Sequence, residues 1–235
     1  MSLPFFYIET IEDSSSNIIL KEETSKHIVQ VLRMQIGEQL QLTDGKGNLF
    51  TTEIIDDNRK KCGVKILQKS EILRPASIIS IAISPVKNAG RFEWFLEKAT
   101  EIGVSEIIPL LCERTEKLHF KLERMQGILI SAMLQSQQAW LPVLQEPAKF
   151  NAIVKSSHQQ QKFIAHCVDN TKRSLSDAKN AFLSSKIILI GPEGDFTADE
   201  IELALQNNFV PVSLGNTRLR TETAGVVAAT LLQFV

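Results

Sequence analysis

Between Ile78 and Val235, short apolar runs suited to buried strands alternate with stretches of helical periodicity. That alternation restricts the fold more than any other feature of the chain. Strands are predicted at Ile78–Ser84, Glu106–Leu111, Lys162–His166, Lys186–Ile190 and Val210–Leu214. A helix is predicted over Arg91–Ile102 with Gly103 as its C-cap, and a long one over Lys121–Ala139, stopping before Pro142. Thr197 and Glu200 have the spacing of a capping box, which opens a helix running to about Gln206. The closing stretch Ala224–Val235 is apolar almost all round, broken only by Thr230 and Gln233, and reads as a buried helix. Strand and helix in strict turn predict an α/β domain with a mainly parallel sheet.

Residues 3–70 read differently. Phe5–Ile8, Ile18–Leu20, Gln39–Thr43, Leu49–Ile55 and Gly63–Leu67 are strand-like, with one helical insert around Thr24–Arg33. Gly45 and Gly47 separate two of these strands, which is hairpin chemistry. The G-x-G they form lacks the third glycine and the following helix of a dinucleotide fingerprint. A small β-barrel or barrel-like domain is predicted, and the Pro75-bearing stretch 70–77 reads as a linker. The division proposed is residues 1–73 and 74–235.

Charge and cysteine usage exclude several classes. Before residue 75 there are 10 basic and 11 acidic residues, and 16 of each after it. Neither part is a basic domain, which argues against a sequence-independent nucleic-acid binder resting on phosphate neutralisation. Cys62, Cys112 and Cys167 lie far apart with no C-x-x-C, and the four histidines have no ligand spacing, so neither a disulfide framework nor a metal site is predicted. With no secretory signal and no apolar run long enough to span a membrane, the expected location is cytoplasmic. P-loop and nucleophile-elbow motifs are absent.

In parallel α/β sheets, ligands bind beyond the carboxyl ends of the strands. Three predicted strand ends carry unusual residues: LLCERTEK from Leu110, GPEGDF from Gly191 and LGNTRLRTET from Leu214. For GPEG, a tight strand-to-helix turn and a ligand loop are both open readings. For RLRTETAG, capping by Thr221 or Thr223 with Glu222 favouring the helix dipole explains one threonine and the glutamate. It leaves Arg218, Arg220 and the second threonine unexplained.

Those residues, with others, are identified as a resemblance. His27–Arg33 (HIVQVLR), Asp44–Gly47 (DGKG), Leu96–Val104 (LEKATEIGV), Ile107–Arg114 (IIPLLCER), Ile190–Gly194 (IGPEG) and the stretch from Leu214 through LRTETA at Ala224 resemble, in order, the RsmE family of SPOUT-class RNA methyltransferases. The resemblance covers nearly the whole chain. It implies a PUA-like β-barrel, RNA-binding, followed by an α/β domain with a deep trefoil knot. It further implies S-adenosylmethionine bound in the knot, a homodimer, and N3-methylation of a uridine in the decoding region of 16S rRNA in the small ribosomal subunit. For that chemistry Arg220 is expected to be the electrostatic catalyst against uracil O2 or O4, with Glu222 orienting it or relaying the N3 proton. The implied cofactor residues are Leu111, Ile190, Gly191, Pro192, Glu193, Gly194, Leu214, Gly215, Leu219, Thr221, Thr223 and Ala224. RNA contact is expected from Arg33, Lys87, Arg91, Arg114 and Lys121, and from the Lys117 and Arg124 face. The chain departs from the family pattern in places. Asp195 stands where a glycine is usual, Arg218 is shifted by one position, Ser131 and Leu134 replace glutamates, and Gln138 replaces an arginine. Two rival readings are a SPOUT methyltransferase acting on another RNA, such as transfer RNA, and a non-catalytic RNA-binding protein that kept the fold.

Overall fold

The architecture was obtained as a computed structural model, and it describes residues 3–11, 16–116, 120–168, 172–180 and 182–234. The chain forms two compact units, Met1–Arg74 with Met133–Leu141, and Pro75–Ala132 with Pro142–Val235. In the first unit, β1 (Phe5–Tyr7) and β2 (Asn17–Ile19) are followed by a short α1 (Glu22–Lys26) that runs into a π-helical turn at His27–Val31. Strands β3 (Gln39–Thr43), β4 (Asn48–Asp56) and β5 (Gly63–Glu71) complete it. The order is β1-β3-β4-β5-β2, with β1 parallel to β3 and the other pairs antiparallel. Phe6 of one edge strand and Ile18 of the other join the same core as Leu40, Leu42, Phe50 and Val64. The sheet therefore curls until its two edges share one interior.

The β3–β4 hairpin turns as its glycines require. Gly45 and Gly47 lie at φ +70° and +93°, and the Asp44 carboxylate accepts from the amide of Lys46 at 2.8 Å. The same turn receives the segment after α3 (Leu122–Gln135). Gly47 N–H donates to the Ala139 carbonyl, and a Cβ on Gly47 would stand 2.5 Å from the Trp140 ring. The predicted helix to Ala139 ends earlier because Gln137 adopts φ +55°, outside helical backbone.

The second unit contains β6 (Ile78–Ile83), α2 (Ala89–Ile102), β7 (Glu106–Leu111), β8 (Val143–Leu144), β9 (Ala148–Lys149), α4 (Phe150–Ser156) and β10 (Gln161–Ala165). It continues through β11 (Arg173–Ser174), α5 (Leu175–Ala178), β12 (Ser185–Ile190), α6 (Ala198–Gln206), β13 (Val210–Ser213) and α7 (Thr221–Phe234). The sheet order is β11-β13-β10-β12-β6-β7-β8, with β9 also on β7, and every pair is parallel. Gly103 closes α2 at φ +93°, and Thr197 and Glu200 form the predicted capping box. Both faces of the sheet are covered, which is why its strands are continuous apolar runs. Ala82, Ile187 and Leu189 face the cluster of Phe150, Phe196 and Ala204 from the α4 and α6 side. Their neighbours of opposite parity include Ile83, which meets α7, itself packed on α2. Among the described residues no helix is long and apolar enough to cross a membrane.

The path of α7 shapes the carboxyl edge of this sheet. Strand β13 lies outside β10, yet α7 packs against β6, β12 and α2. The segment Leu214–Arg220 must therefore traverse the ends of β10 and β12. The helix then docks through small residues: Ala224, Gly225, Ala228 and Ala229 are buried, and a Cβ on Gly225 would lie 2.6 Å from the Phe95 ring and 2.7 Å from Ile83. Gly225→Ala is expected to destabilise the protein by about 1–3 kcal/mol through overpacking. Chemical denaturation reads this directly, and an unchanged midpoint would mean that Phe95 and Ile83 have room to retreat.

Candidate active site

Because the strands are parallel, the ends of β6, β7, β10, β12 and β13 fall on one edge, and hydrogen bonds tie their loops together. Ser84 N–H donates to the Ile190 carbonyl at 2.9 Å, and the hydroxyls of Ser84 and Thr115 meet at 2.8 Å. Arg114 Nη1 donates to the Gly194 carbonyl at 2.7 Å, and Glu113 N–H to Glu200 Oε1 at 2.9 Å. Thr221 Oγ1 donates to the Gly191 carbonyl at 3.0 Å. The hydroxyl of Thr221 thus goes across to the neighbouring loop, and α7 starts at Thr221 itself without a threonine N-cap before it.

Glu222 follows in the first turn of α7. It is 6% exposed; Oε1 lies 3.7 Å from Arg91 Nε, and Oε2 is buried without a hydrogen-bond partner. Arg91, in the first turn of α2, also stands 3.9 Å from Glu193 Oε1 through Nη1. A buried carboxylate oxygen with no donor is costly. Cys112, behind the β7 end, is no rival nucleophile, because burial pushes its thiol well above the ordinary cysteine value.

Gly191 and Pro192 are buried, and a Cβ on Gly191 would crowd the Phe196 ring at 3.1 Å. Gly215 takes φ +145°. Leu214 and Leu219 are half-buried, Thr223 is half-buried beside buried Ala224, and Arg218 and Arg220 are exposed. The start of α7 is joined to the end of β12 by the Thr221–Gly191 bond. Leu111 is 40% exposed and lines a cleft of about 760 Å³ between α4 and α6, with Glu113, Asp199, Glu200 and Glu202. That cleft is acidic and offers a phosphate backbone no attraction.

Of the basic residues expected to meet RNA, Arg91 and Arg114 are engaged by the loops themselves. Lys87 is exposed with Glu116 3.6 Å away, Lys121 is exposed, and Arg124 grips Glu93 through two nitrogens at 2.6 and 2.9 Å. Arg33 is exposed in the first unit at φ +56°, directly after the π-helical turn. Lys117 lies outside the described residues.

Asp195, the departure from glycine, occupies a left-handed backbone position (φ +62°), where aspartate is among the better-tolerated side chains. Its Oδ2 accepts from the amide of Cys167 at 2.8 Å, joining the GPEG loop to the loop after β10. Lys172 fastens the latter loop by donating to the carbonyls of His166 and Val168 at 2.5 and 2.8 Å. Burial holds the His166 ring below its ordinary value, with Lys172 adding to the effect and Asp195 opposing it. The unfolded chain then takes up a proton that the folded chain resists, so this contribution to stability is intact above 6.5 and declines as pH falls below it. Melting temperatures at about pH 7.5 and about pH 5.5 should fall less for His166→Asn than for the native chain; equal declines would clear His166 of the effect.

Two family models match the chain. Residues 74–233 match the model of an RNA methyltransferase domain, and residues 20–67 that of an RNA methyltransferase PUA domain. The two matches make the chain an RNA methyltransferase with a PUA domain ahead of its methyltransferase domain. It is 33% identical to ribosomal RNA small subunit methyltransferase E of Synechocystis over 86% of this chain and 68% of that protein. Among solved structures, a probable rRNA methyltransferase from Porphyromonas gingivalis matches at a TM-score of 0.91 and 39% identity, covering 98% of each chain. Ribosomal RNA small subunit methyltransferase E from Neisseria gonorrhoeae, bound to S-adenosyl methionine, matches at 0.86 and 28%, covering 98% of this chain and 97% of that one. The chain belongs to the ribosomal RNA small subunit methyltransferase E family.

Proposed function

We propose that the protein transfers a methyl group from S-adenosylmethionine to N3 of a uridine in the decoding region of 16S rRNA, acting in the cytoplasm on the small ribosomal subunit. The observation that carries this reading is the start of α7. Thr221 is pinned to Gly191, and Glu222 is buried beside it with one oxygen unpartnered. The residues fit the methyl donor. Gly215 leaves its backbone open to close approach, Gly191 and Gly194 keep the GPEG turn free of side chains, and half-buried Leu214 and Leu219 offer apolar contact for an adenosine. Ile190, Pro192, Glu193, Thr223 and Ala224 complete that region.

S-adenosylmethionine, held by these residues, would supply a methyl group on a sulfonium; forming the N3–C bond would require the S–C bond to break and the N3 proton to leave. The chain's part is to hold the uracil in line and to stabilise its anion. Each pKa unit by which N3 is acidified corresponds to about 1.4 kcal/mol. The amino end of α7 favours an anion by about 0.3–1 kcal/mol. Arg220, exposed at that end, adds a charge-assisted hydrogen bond to uracil O2 or O4 of about 1.5–3 kcal/mol. Glu222 Oε2 is the acceptor available for the departing proton. Arg220→Ala is expected to slow single-turnover methylation at least ~100-fold, in keeping with the loss of a catalytic electrostatic contact, while cofactor binding survives. The decisive measurement is to map the modified base after incubation with small subunits lacking the modification; a product at any position other than a 16S uridine N3 rules this reading out.

A homodimer is part of the same proposal. One side of α7 is spent on the core, yet the other remains apolar, with Val226, Val227 and Leu231 half-buried and Phe234 68% exposed. Trp94 on α2 is a further large apolar side chain at 42% exposure. An apolar strip on a helix that already has its core face supports pairing with a second copy. Phe234→Asp is expected to shift sedimentation towards monomer without loss of fold; a native chain that sediments as a monomer contradicts pairing outright.

A further inference from the structure

We propose that Arg91 is a positioning residue for Glu222 and not a phosphate contact. The proposal rests on the reading of Glu222 as acceptor of the N3 proton. Arg91 projects from the first turn of α2, whose start is fixed by Asn88 accepting from Gly90 N–H. Its guanidinium is divided between two carboxylates, one on α7 and one on the GPEG loop: Nε lies 3.7 Å from Glu222 Oε1, and Nη1 lies 3.9 Å from Glu193 Oε1.

Three physical points assign the role. First, the Glu222 side chain is only 8% exposed, and a carboxylate so shielded from water needs a nearby group to offset its lost hydration. Arg91 is the cation that the structure places there. Second, with Oε1 facing Arg91, Oε2 is the oxygen without a donor. The ion pair therefore sets how the carboxylate is turned, with Oε1 towards Arg91 and Oε2 away from it. Third, the planar guanidinium addresses both acids from separate nitrogens, which a lysine ammonium does not reproduce. It thereby holds the GPEG loop and the start of α7 at a fixed spacing. One positive charge against two negative ones leaves the cluster net negative, so an RNA phosphate gains nothing by approaching Arg91.

Steady-state methylation of small ribosomal subunits separates the two roles. Arg91→Ala is expected to lower kcat by about 10–100-fold with KM for the subunit nearly unchanged, and Arg91→Lys to recover part of that loss. In a Glu222→Gln background the same Arg91→Ala change should cost less than about threefold, because the pair acts as a unit. A rise in KM with kcat intact makes Arg91 an RNA contact and overturns the proposal, as does an equal loss in both backgrounds. Full kcat in Glu222→Gln alone removes instead the reading of Glu222 on which this rests. If Arg91→Ala fails to fold, Arg91→Gln, which keeps much of the side-chain length without the charge, is judged on the same split.

Discussion

The close seating of α7 against β6 and α2 is the contact on which the rest of the second unit depends. It is set by the absence of a side chain at Gly225, where Phe95 and Ile83 occupy the space a Cβ would need. Two alanines one turn further on, Ala228 and Ala229, keep the helix at that depth. With α7 this close, the strands β6 and β12 are covered on that face, and their apolar runs are accounted for. The first turn of the same helix carries Thr221 and Glu222 to the end of β12. Core packing and site geometry are thus fixed by one docking event.

Charge is arranged around that turn with economy. Arg91 answers two acids, Arg114 secures the Gly194 carbonyl, and Asp195 secures the amide of Cys167. The loops are connected mostly by side chain to backbone bonds, which constrain main-chain position directly. The unpartnered oxygen of Glu222 stands out against this background of satisfied groups.

Much of this was legible in the sequence, and the reasons differ by element. The long strands, the Gly103 cap and the Thr197–Glu200 box carry local signals, and their positions agree with the structure to within a residue or two. The two-residue strands β8, β9 and β11 and the short helices α4 and α5 are too brief to show a period. The end of α3 was hidden because no glycine or proline marks it; the chain turns at Gln137 with an ordinary side chain at positive φ. For the site, strand-end logic found the GPEG and RTET loops as places of interest. It had no access to the link between Arg91 and Glu222, because contacts between distant segments leave no spacing to read. Asp195 is the intermediate case. The sequence marks it as a departure from glycine, and the fold brings its carboxylate to a bond with the next loop.

The ends of helices ordinarily fray, opening on their own at little cost. The amino end of α7 has no such freedom. Thr221 and Glu222 are both buried, Thr221 is bonded to Gly191, and the Ala224 amide reaches back to the Arg220 carbonyl at 2.7 Å. To expose the amides of this turn, the helix must leave the sheet, and the sheet then loses its cover. Hydrogen exchange there would proceed through the opening of the whole unit, and the site would be lost in the same cooperative step as the core. A population with an intact core and a melted site has no place in this architecture.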